Sequence, residues 1–322
     1  MKINEINNLL ELFFIQYKNQ NKKNFFLHSL RERKQKYTWE DTYKNVIKLS
    51  NEILTYVQKG DRCLIISENR PEWMITDLAI MLSSCVSVPA YTTYTERDYE
   101  YIINDCSPTI IFVSDSIQYS KIKNIIPKKN FIKKVIIFDK IDNIDDSFNL
   151  SISEIFKNDK KLDDVDFLKI NISRKDPACI IYTSGTQGNP KGVILSHGGI
   201  LNNCEGSFEL LKPIISKDAR FLTWLPLSHS YEHTVQFVQI AVAAKVFYAE
   251  SIEKLIKNMN DCSPEIMTAV PRFYQNLYQK INSNFDKAKG FKRKLIKNTI
   301  ELGKKKLLKN KLTFTEKLTN FV

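Results

Sequence analysis

The stretch between positions 182 and 192, with the sequence Y-T-S-G-T-Q-G-N-P-K-G, contains the residue types that bind phosphate. Its glycines let the backbone turn with positive φ and approach a ligand closely, and consecutive backbone N–H groups then form an anion-binding concavity. Side-chain hydroxyls add donors, and a lysine adds a positive charge suited to phosphate. These side chains are Thr183, Ser184, Thr186 and Lys191. The composition predicts a loop that holds a triphosphate.

The flanking residues distinguish this loop from a Walker A motif, which requires G-x-x-x-x-G-K-[ST] running directly into a helix. Here Pro190 precedes Lys191, and a proline disfavours the helical conformation in the residue before it. Apolar runs typical of strands lie on both sides of the loop, at positions 178–182 and 193–195. The pattern predicts a strand–loop–strand hairpin. A solvated hairpin without a ligand is the alternative interpretation.

A second stretch with chemical potential runs from Thr223 to His233, with the sequence T-W-L-P-L-S-H-S-Y-E-H. Its histidine, His229, comes shortly after an apolar run that predicts a strand. The carboxyl ends of strands in an open α/β sheet are where ligands commonly bind. An isolated histidine at such a place also suits a structural role as a helix cap, and both interpretations stay open on this residue alone.

Both stretches resemble signature sequences of the adenylate-forming (AMP-binding) superfamily. The loop is similar to the pattern Y-T-S-G-T-T-G-x-P-K-G, with Gln187 in place of the usual threonine or serine. The second stretch resembles the L-P-L-S-H-x-x-E motif of long-chain acyl-CoA synthetases, and the sequence from Ala269 to Tyr274 resembles the motif that follows it. The chain is therefore identified as a member of this superfamily, similar to the N-terminal portion of a long-chain acyl-CoA synthetase.

The resemblance implies an activity: ATP-dependent conversion of a long-chain fatty acid to an acyl-adenylate and then to acyl-CoA, with coenzyme A as co-substrate. It implies that His229 is catalytic and lies against the substrate carboxylate, with Glu232 and Arg272 also on the substrate side. It implies that Thr186 reaches Mg²⁺ through ATP. The residues that it assigns to the ATP phosphates are Thr183, Ser184, Gly185, Thr186, Gln187, Gly188 and Lys191.

The composition restricts the partners and the location that we expect. The formal net charge is +12, but only nine of the 48 basic residues are arginine, and no compact arginine–aromatic motif accompanies them. This argues against a nucleic-acid surface. No C-x-x-C pair, secretory signal or long apolar run is present, which predicts a cytoplasmic protein with free thiols. The lysine-dense stretch 287–322 predicts either a solvated helix or peripheral contact with the inner face of a membrane.

The elements that must position these residues alternate between helix and strand. Strands are predicted at 62–66, 86–89, 109–113 and 135–138, with an apolar helix from Glu72 to about Ser84. This alternation favours open parallel sheets covered by helices. The sequence N-D-C-S-P occurs at 104–108 and again at 260–264, each time after a predicted helix and before a predicted strand. Chance similarity and internal duplication both explain this recurrence.

We therefore expect the N-terminal part of the adenylate-forming α/β fold, with two lobes of mainly parallel sheet. The first lobe is assigned to 1–176, and the phosphate loop with part of the second lobe to 177–322. The Y-G-x-T-E and T-G-D motifs of the family and its C-terminal domain are absent from this sequence. We expect a truncated or split enzyme, incomplete alone, whose partner is a complementary C-terminal half. Two alternatives are a degenerate, non-catalytic nucleotide-binding module and an adenylate-former for another carboxylic acid.

Overall fold

The computed structural model describes residues 2–32, 34–142, 144–145, 147–158, 171–183 and 190–308. The chain divides into two compact units, Met1–Thr268 and Ala269–Val322. The strands, in chain order, are β1 (Phe25–Ser29), β2 (Lys36–Thr38), β3 (Arg62–Ile66), β4 (Val86–Ala90), β5 (Ile110–Val113), β6 (Lys134–Ile137), β7 (Asn149–Ser151), β8 (Pro177–Thr183), β9 (Lys191–Ser196), β10 (Arg220–Thr223), β11 (Lys245–Tyr248) and β12 (Ile266–Met267).

The described residues form eleven α-helices, and the one predicted from Glu72 to about Ser84 runs from Pro71 to Leu82. In chain order they are α1 (Leu9–Asn19), α2 (Trp39–Ile53), α3 (Pro71–Leu82), α4 (Glu96–Cys106), α5 (Ser116–Ser120), α6 (Ile152–Lys157), α7 (His197–Leu211), α8 (Ser230–Ala241), α9 (Leu255–Cys262), α10 (Pro271–Asp286) and α11 (Gly290–Leu307). Local sequence explains several starts. Thr38 and Asp41 form a reciprocal capping box at α2, and Pro71 occupies the first position of α3, where its missing N–H costs nothing.

The strands form two sheets within Met1–Thr268. In the described part of the chain, one sheet has the order β12-β10-β11-β1-β2 and the other has the order β7-β6-β5-β3-β4-β8-β9. Neighbouring strands are parallel except in the pairs β1–β2 and β8–β9, which are antiparallel. The predicted α/β class with mainly parallel sheets is confirmed. Within the segment 139–176, the described residues also form β7 and α6.

Both faces of the central strands are buried, and the side chains alternate between them. In β3, Cys63 and Ile65 belong to a core cluster that also includes Val246 of the other sheet. The intervening residues, Leu64 and Ile66, belong to a second cluster together with side chains of α4. Parallel strands covered on both sides read as continuous apolar runs for this reason. The first cluster joins the two sheets into one core.

An internal repeat relates the two sheets. The run β3–α3–β4–α4–β5 gives the neighbouring order β5-β3-β4, and the run β10–α8–β11–α9–β12 gives the corresponding order β12-β10-β11. The recurring N-D-C-S-P sequence ends the second helix of each run. Ser107 and Ser263 both adopt the left-handed conformation there, with φ of 46° and 44°. The short sequence recurrence therefore marks two structurally equivalent junctions.

Further details of the two runs agree. Arg62, the first residue of β3, donates to the carbonyl of Ser107 at 3.3 Å, and Arg220, the first residue of β10, donates to the carbonyl of the equivalent Ser263 at 2.8 Å. Ser84 and Ala243 both have positive φ at the exit of the first helix of each run, with φ of 56° and 52°. The equivalence thus extends over the whole run.

The unit Ala269–Val322 contains α10 and α11, which contact each other. Large apolar side chains of both helices are exposed, among them Tyr278 at 70% and Phe291 at 80%. The last turn of α11 carries three consecutive lysines, at positions 304–306. Across the described residues, no helix is both long enough and apolar enough to cross a bilayer.

Candidate functional site

Asn69 connects the carboxyl ends of the two sheets. It lies three residues after β3, and its Nδ2 donates to the carbonyl of Leu225 at 2.6 Å. Its Oδ1 accepts from the backbone N–H of Leu227 at 3.0 Å. Leu225 and Leu227 belong to the segment that follows β10 and carries the predicted site histidine. Asn69 lies in none of the predicted motifs, and its partners are distant in the chain, so the sequence gives no sign of its role.

His229 is both a helix cap and an exposed side chain, so the two interpretations that the sequence left open are compatible. Its backbone N–H donates to the carbonyl of Pro226 at 3.0 Å, and its carbonyl accepts from the N–H of His233 at 3.0 Å. Its Nδ1 accepts from the N–H of Tyr231 at 3.2 Å, which caps α8. In a neutral ring the hydrogen is then on Nε2. That atom remains available to donate to an oxygen of a ligand.

Glu232 follows in the first turn of α8 and is almost completely buried. Its Oε2 accepts from the hydroxyl of Thr268 at 2.6 Å, and the carbonyl of Thr268 accepts from Nε1 of Trp224 at 2.6 Å. Burial raises the pKa of the Glu232 carboxyl to about 7, against the opposing effect of the Thr268 hydrogen bond. Within the described residues, the other carboxyl oxygen has no hydrogen-bond partner. Glu232 and Trp224 together fix the position of Thr268.

A fully buried ion pair joins α3 to α8 one helical turn beyond His229. His233 Nε2 and Asp77 Oδ2 lie 2.9 Å apart, and Gln236 also donates to Asp77 Oδ2 at 3.0 Å. Burial lowers the pKa of the imidazole, but the Asp77 carboxylate and the neighbouring Cys179 outweigh burial and raise this pKa to about 10. The charged pair therefore fixes the helix that His229 caps. Asp77 and Gln236 occupy equivalent positions of the internal repeat. Asp77 lies seven residues before Ser84, and Gln236 lies seven residues before Ala243, the two residues with positive φ that follow α3 and α8.

The predicted phosphate loop is closed by an antiparallel hairpin. β8 and β9 pair from Pro177 to Ser196, and the last pair before the loop is Thr183 with Lys191. The strand–loop–strand prediction is confirmed. Both residues of this last pair are exposed. Five of the residues predicted to bind ATP lie outside the described residues, so their contacts stay predictions; they are Ser184, Gly185, Thr186, Gln187 and Gly188.

The remaining predicted site residue, Arg272, is the second residue of α10 and is exposed. It belongs to the unit Ala269–Val322, whereas the segment from Asn69 to Glu232 belongs to Met1–Thr268. The structure thus brings His229 and Glu232 together on one helix start, both held through backbone or buried contacts. The role of Arg272 stays a prediction.

A polar cavity of about 270 Å³ also lies at the carboxyl ends of β1, β6 and β11. In it, Arg70 donates to both carboxyl oxygens of Asp139 at 3.1 Å and to Glu72 at 2.7 Å. None of the predicted site residues that the structure describes lines this cavity. Its lining residues are Ser29, Arg31, Glu32, Gln35, Arg70, Asp139 and Glu250.

Comparison with known proteins assigns the family. The family model described as "AMP-binding enzyme" matches residues 14–312. The chain belongs to the AMP-binding enzyme family. It is 32% identical over 276 residues to long chain acyl-CoA synthetase 3 of Arabidopsis thaliana, covering 81% of this chain and 41% of that protein. It is 28% identical over 256 residues to fatty acyl-CoA synthetase A of Dictyostelium discoideum, covering 76% and 38%. The chain thus spans less than half the length of these relatives.

Solved structures agree on the fold of this AMP-binding family member. The N-terminal domain of FACL13 from Mycobacterium tuberculosis has a TM-score of 0.71 at 17% identity, covering 85% of this chain and 65% of that one. ATP-bound MatB from Rhodopseudomonas palustris has a TM-score of 0.67 at 22% identity, covering 84% and 51%. At these identities the likeness concerns the fold alone. The predicted adenylate-forming fold and the resemblance to long-chain acyl-CoA synthetases are confirmed.

Proposed function

We propose that this chain is the nucleotide- and carboxylate-binding part of an AMP-forming long-chain fatty acid–CoA ligase. One observation carries the proposal: His229 presents Nε2 from a helix start that Asn69 ties to the other sheet. The family membership and the similarity to long-chain acyl-CoA synthetases support the choice of reaction. The fatty acid is the favoured substrate because the stretch from Leu225 to Glu232 resembles the L-P-L-S-H-x-x-E motif of long-chain acyl-CoA synthetases.

In the proposed first step, a carboxylate oxygen of the fatty acid attacks the α-phosphorus of ATP, and pyrophosphate leaves. Both reactants are negative, so donors fixed in place must offset their repulsion. Lys191 and the loop bind the phosphates, while Nε2 of His229 donates to the substrate carboxylate and then to the adenylate. Glu232 supports the start of the helix by holding Thr268, and Arg272 is proposed, from the resemblance alone, for the acyl side of the substrate. The loop residues proposed for the phosphates are Thr183, Ser184, Gly185, Thr186, Gln187 and Gly188.

The second proposed step transfers the acyl group. The thiolate of coenzyme A attacks the carbonyl carbon of the acyl-adenylate, a thioester forms, and AMP leaves. Among the described residues, no group of three or more His, Cys, Asp or Glu could hold a metal ion. We propose that Mg²⁺ would be bound together with the phosphates of ATP, where it would offset their charge, with Thr186 as its contact in this chain.

We also propose that a complementary C-terminal half completes the enzyme. In the internal repeat, β5 has β6 as a further neighbour, whereas the equivalent β12 has no neighbour on that side in the described part of the chain. An unpaired strand edge is a template for another strand. The location that we propose is cytoplasmic, with the lysine-rich α11 either a solvated helix or in peripheral contact with the inner face of a membrane. The alternative is a non-catalytic nucleotide-binding module.

The test is ATP–pyrophosphate exchange with palmitate, together with ATP affinity, on the purified 322-residue chain. It is repeated after co-expression with the C-terminal half of the Arabidopsis synthetase. We expect the chain alone to bind ATP with negligible exchange, and exchange to appear with the added half. The variant Lys191→Ala should lose ATP affinity, whereas Lys175→Ala, at an exposed position before β8, should not. Absence of ATP binding by the unmodified chain contradicts the proposal. Binding without exchange in the complemented protein favours the non-catalytic module.

A further inference from the structure

The phosphate loop has a side chain at its entrance that touches both strands of the hairpin. Tyr182 is the residue before the end of β8, and only 2% of it is exposed. Across the hairpin it pairs with Gly192 of β9. A Cβ built on Gly192 would lie 3.3 Å from Cζ of the Tyr182 ring and 2.9 Å from Cγ2 of Ile180. The ring therefore covers the glycine, and packing explains why no side chain stands at this position.

The hydroxyl of the same ring is bound from outside the hairpin. It donates to Oδ2 of Asp105, near the end of α4, at 2.5 Å. Burial, followed by this carboxylate, raises the pKa of the Tyr182 phenol, so the hydroxyl keeps its proton and remains a donor. A charge-assisted hydrogen bond of this kind is roughly twice as strong as one between neutral groups.

The acceptor itself is fixed to the centre of the sheet. Arg62, at the start of β3, donates to the carbonyls of Cys106 and Ser107 at 2.7 and 3.3 Å, directly after Asp105. The end of α4 is thereby tied to β3, two strands away from β8 in the sheet. A continuous series of contacts thus runs from β3 through Asp105 and Tyr182 to the hairpin.

We propose that Asp105 is a positioning residue for the phosphate loop and acts through the hydroxyl of Tyr182. The pair that closes the loop, Thr183 and Lys191, follows the pair Tyr182 and Gly192 directly. Fixing the ring therefore fixes the direction in which both ends enter the loop. This inference rests on the proposed function, since the ligand that the loop holds is taken to be ATP. Asp105 belongs to the first copy of the N-D-C-S-P sequence. Its contact with Tyr182 gives this first junction a role beyond ending a helix.

The experiment measures ATP affinity by calorimetry and the melting temperature of the full chain for four variants. Tyr182→Phe keeps the ring over Gly192 and removes only the hydroxyl, while Asp105→Ala removes the acceptor. Each should weaken ATP binding about tenfold, the factor at the lower end of the range for one hydrogen bond to a charged group. Asp105→Asn retains an acceptor oxygen and should bind ATP nearly as well as the unmodified chain. The double variant should be no weaker than either single variant, because both remove the same contact.

Two outcomes overturn the inference. If Tyr182→Phe and Asp105→Ala lower the melting temperature but leave ATP affinity unchanged, the contact is structural only. If their effects on affinity add in the double variant, the two residues do not act through one another. Lys191→Ala separates this inference from the proposed function. If that variant binds ATP normally, both fail, and if it loses ATP while Tyr182→Phe and Asp105→Ala do not, only the positioning role fails.

A glycine pair supplies a matched control for the packing of the ring. Gly192→Ala places its methyl group against Tyr182 and Ile180, and should weaken ATP binding by at least as much as Tyr182→Phe. Gly206, in α7, has open space around the position of an added Cβ. Gly206→Ala should therefore leave ATP affinity unchanged. Equal affinities for Gly192→Ala and Gly206→Ala would contradict the account of the ring.

Discussion

Asn69 accepts a hydrogen bond from the backbone N–H of Leu227 at 3.0 Å, although 158 positions separate the two residues in the chain. The same carboxamide donates to the carbonyl of Leu225 at 2.6 Å. The segment after β10 is therefore fixed by a residue that follows β3 in the other sheet. Since His229 comes two residues after Leu227, the position of the candidate catalytic side chain depends on the packing of both sheets.

Replacing Asn69 by alanine removes both of these hydrogen bonds and leaves two backbone groups to find other partners. We expect Asn69→Ala to lower the free energy of unfolding by about 1–3 kcal/mol, as measured by urea denaturation. Asn124→Ala is the control, because the only side-chain contact of Asn124 given by the described residues is an exposed one to Glu96 at 3.5 Å. Its effect should lie within about 0.5 kcal/mol of zero. Equal stabilities of the two variants would show that the Asn69 contacts contribute nothing.

The two roles of His229 can be separated by substitution. His229→Asn keeps a good N-cap acceptor for α8 but lacks the Nε2 donor, whereas His229→Ala lacks both. We expect His229→Asn to retain nearly the full unfolding free energy and His229→Ala to lose about 1 kcal/mol. Both should bind a non-hydrolysable acyl-adenylate analogue about tenfold more weakly than the unmodified chain. Calorimetric affinity of His229→Asn equal to that of the unmodified chain would leave His229 only its capping role.

Much of the fold follows from the sequence because its signals are local. The apolar run Arg62–Ile66 and the capping pair Thr38 and Asp41 each define an element without reference to distant residues. The loop sequence likewise predicts a hairpin, since Pro190 prevents a helix there. Short polar elements gave no such signal. β7 has only three residues, Asn149–Ser151, and forms a strand because β6 pairs with it.

The supporting residues of the site could not be predicted for the same physical reason. Asn69 contacts Leu227, and Asp105 contacts Tyr182. In each pair the two residues are close in space but far apart in the chain. A motif records which residues meet the ligand and not what holds them. His229 could be predicted because it belongs to a recognisable motif. Asn69 belongs to no such motif and to no periodic apolar pattern. Only the packing of the two sheets reveals its role.

The buried pair of Asp77 and His233 predicts a dependence of stability on pH. The pKa of His233 is about 10 in the folded protein and about 6.5 in the unfolded chain. Its contribution is therefore fully present below about pH 6.5 and is lost as the pH rises through about 10. Asp77→Asn removes the charge of the partner and should cost about 3 kcal/mol near pH 6. Urea denaturation should show this difference shrinking toward pH 10. A constant difference between pH 6 and pH 10 would mean that His233 is neutral throughout.

Glu232 predicts a second window with a different cause, because burial raises its pKa to about 7 from an ordinary value of 4.5. Between these two values the folded state holds a proton that the unfolded state has released, so stability falls as the pH rises from about 4.5 to about 7. Glu232→Gln keeps an acceptor for Thr268 and cannot ionise. Relative to the unmodified chain, the free energy of unfolding of this variant should rise by on the order of 3 kcal/mol between pH 4.5 and pH 7. Denaturation curves at pH 4.5, 6 and 8 measure the gain.

Thr268→Val serves as the matched variant, because loss of the hydroxyl removes a hydrogen bond that lowers the pKa of Glu232. In this variant the fall in stability should continue to a higher pH than in the unmodified chain. Parallel stability profiles for the unmodified chain and Glu232→Gln would show that the carboxyl is solvated in the folded protein.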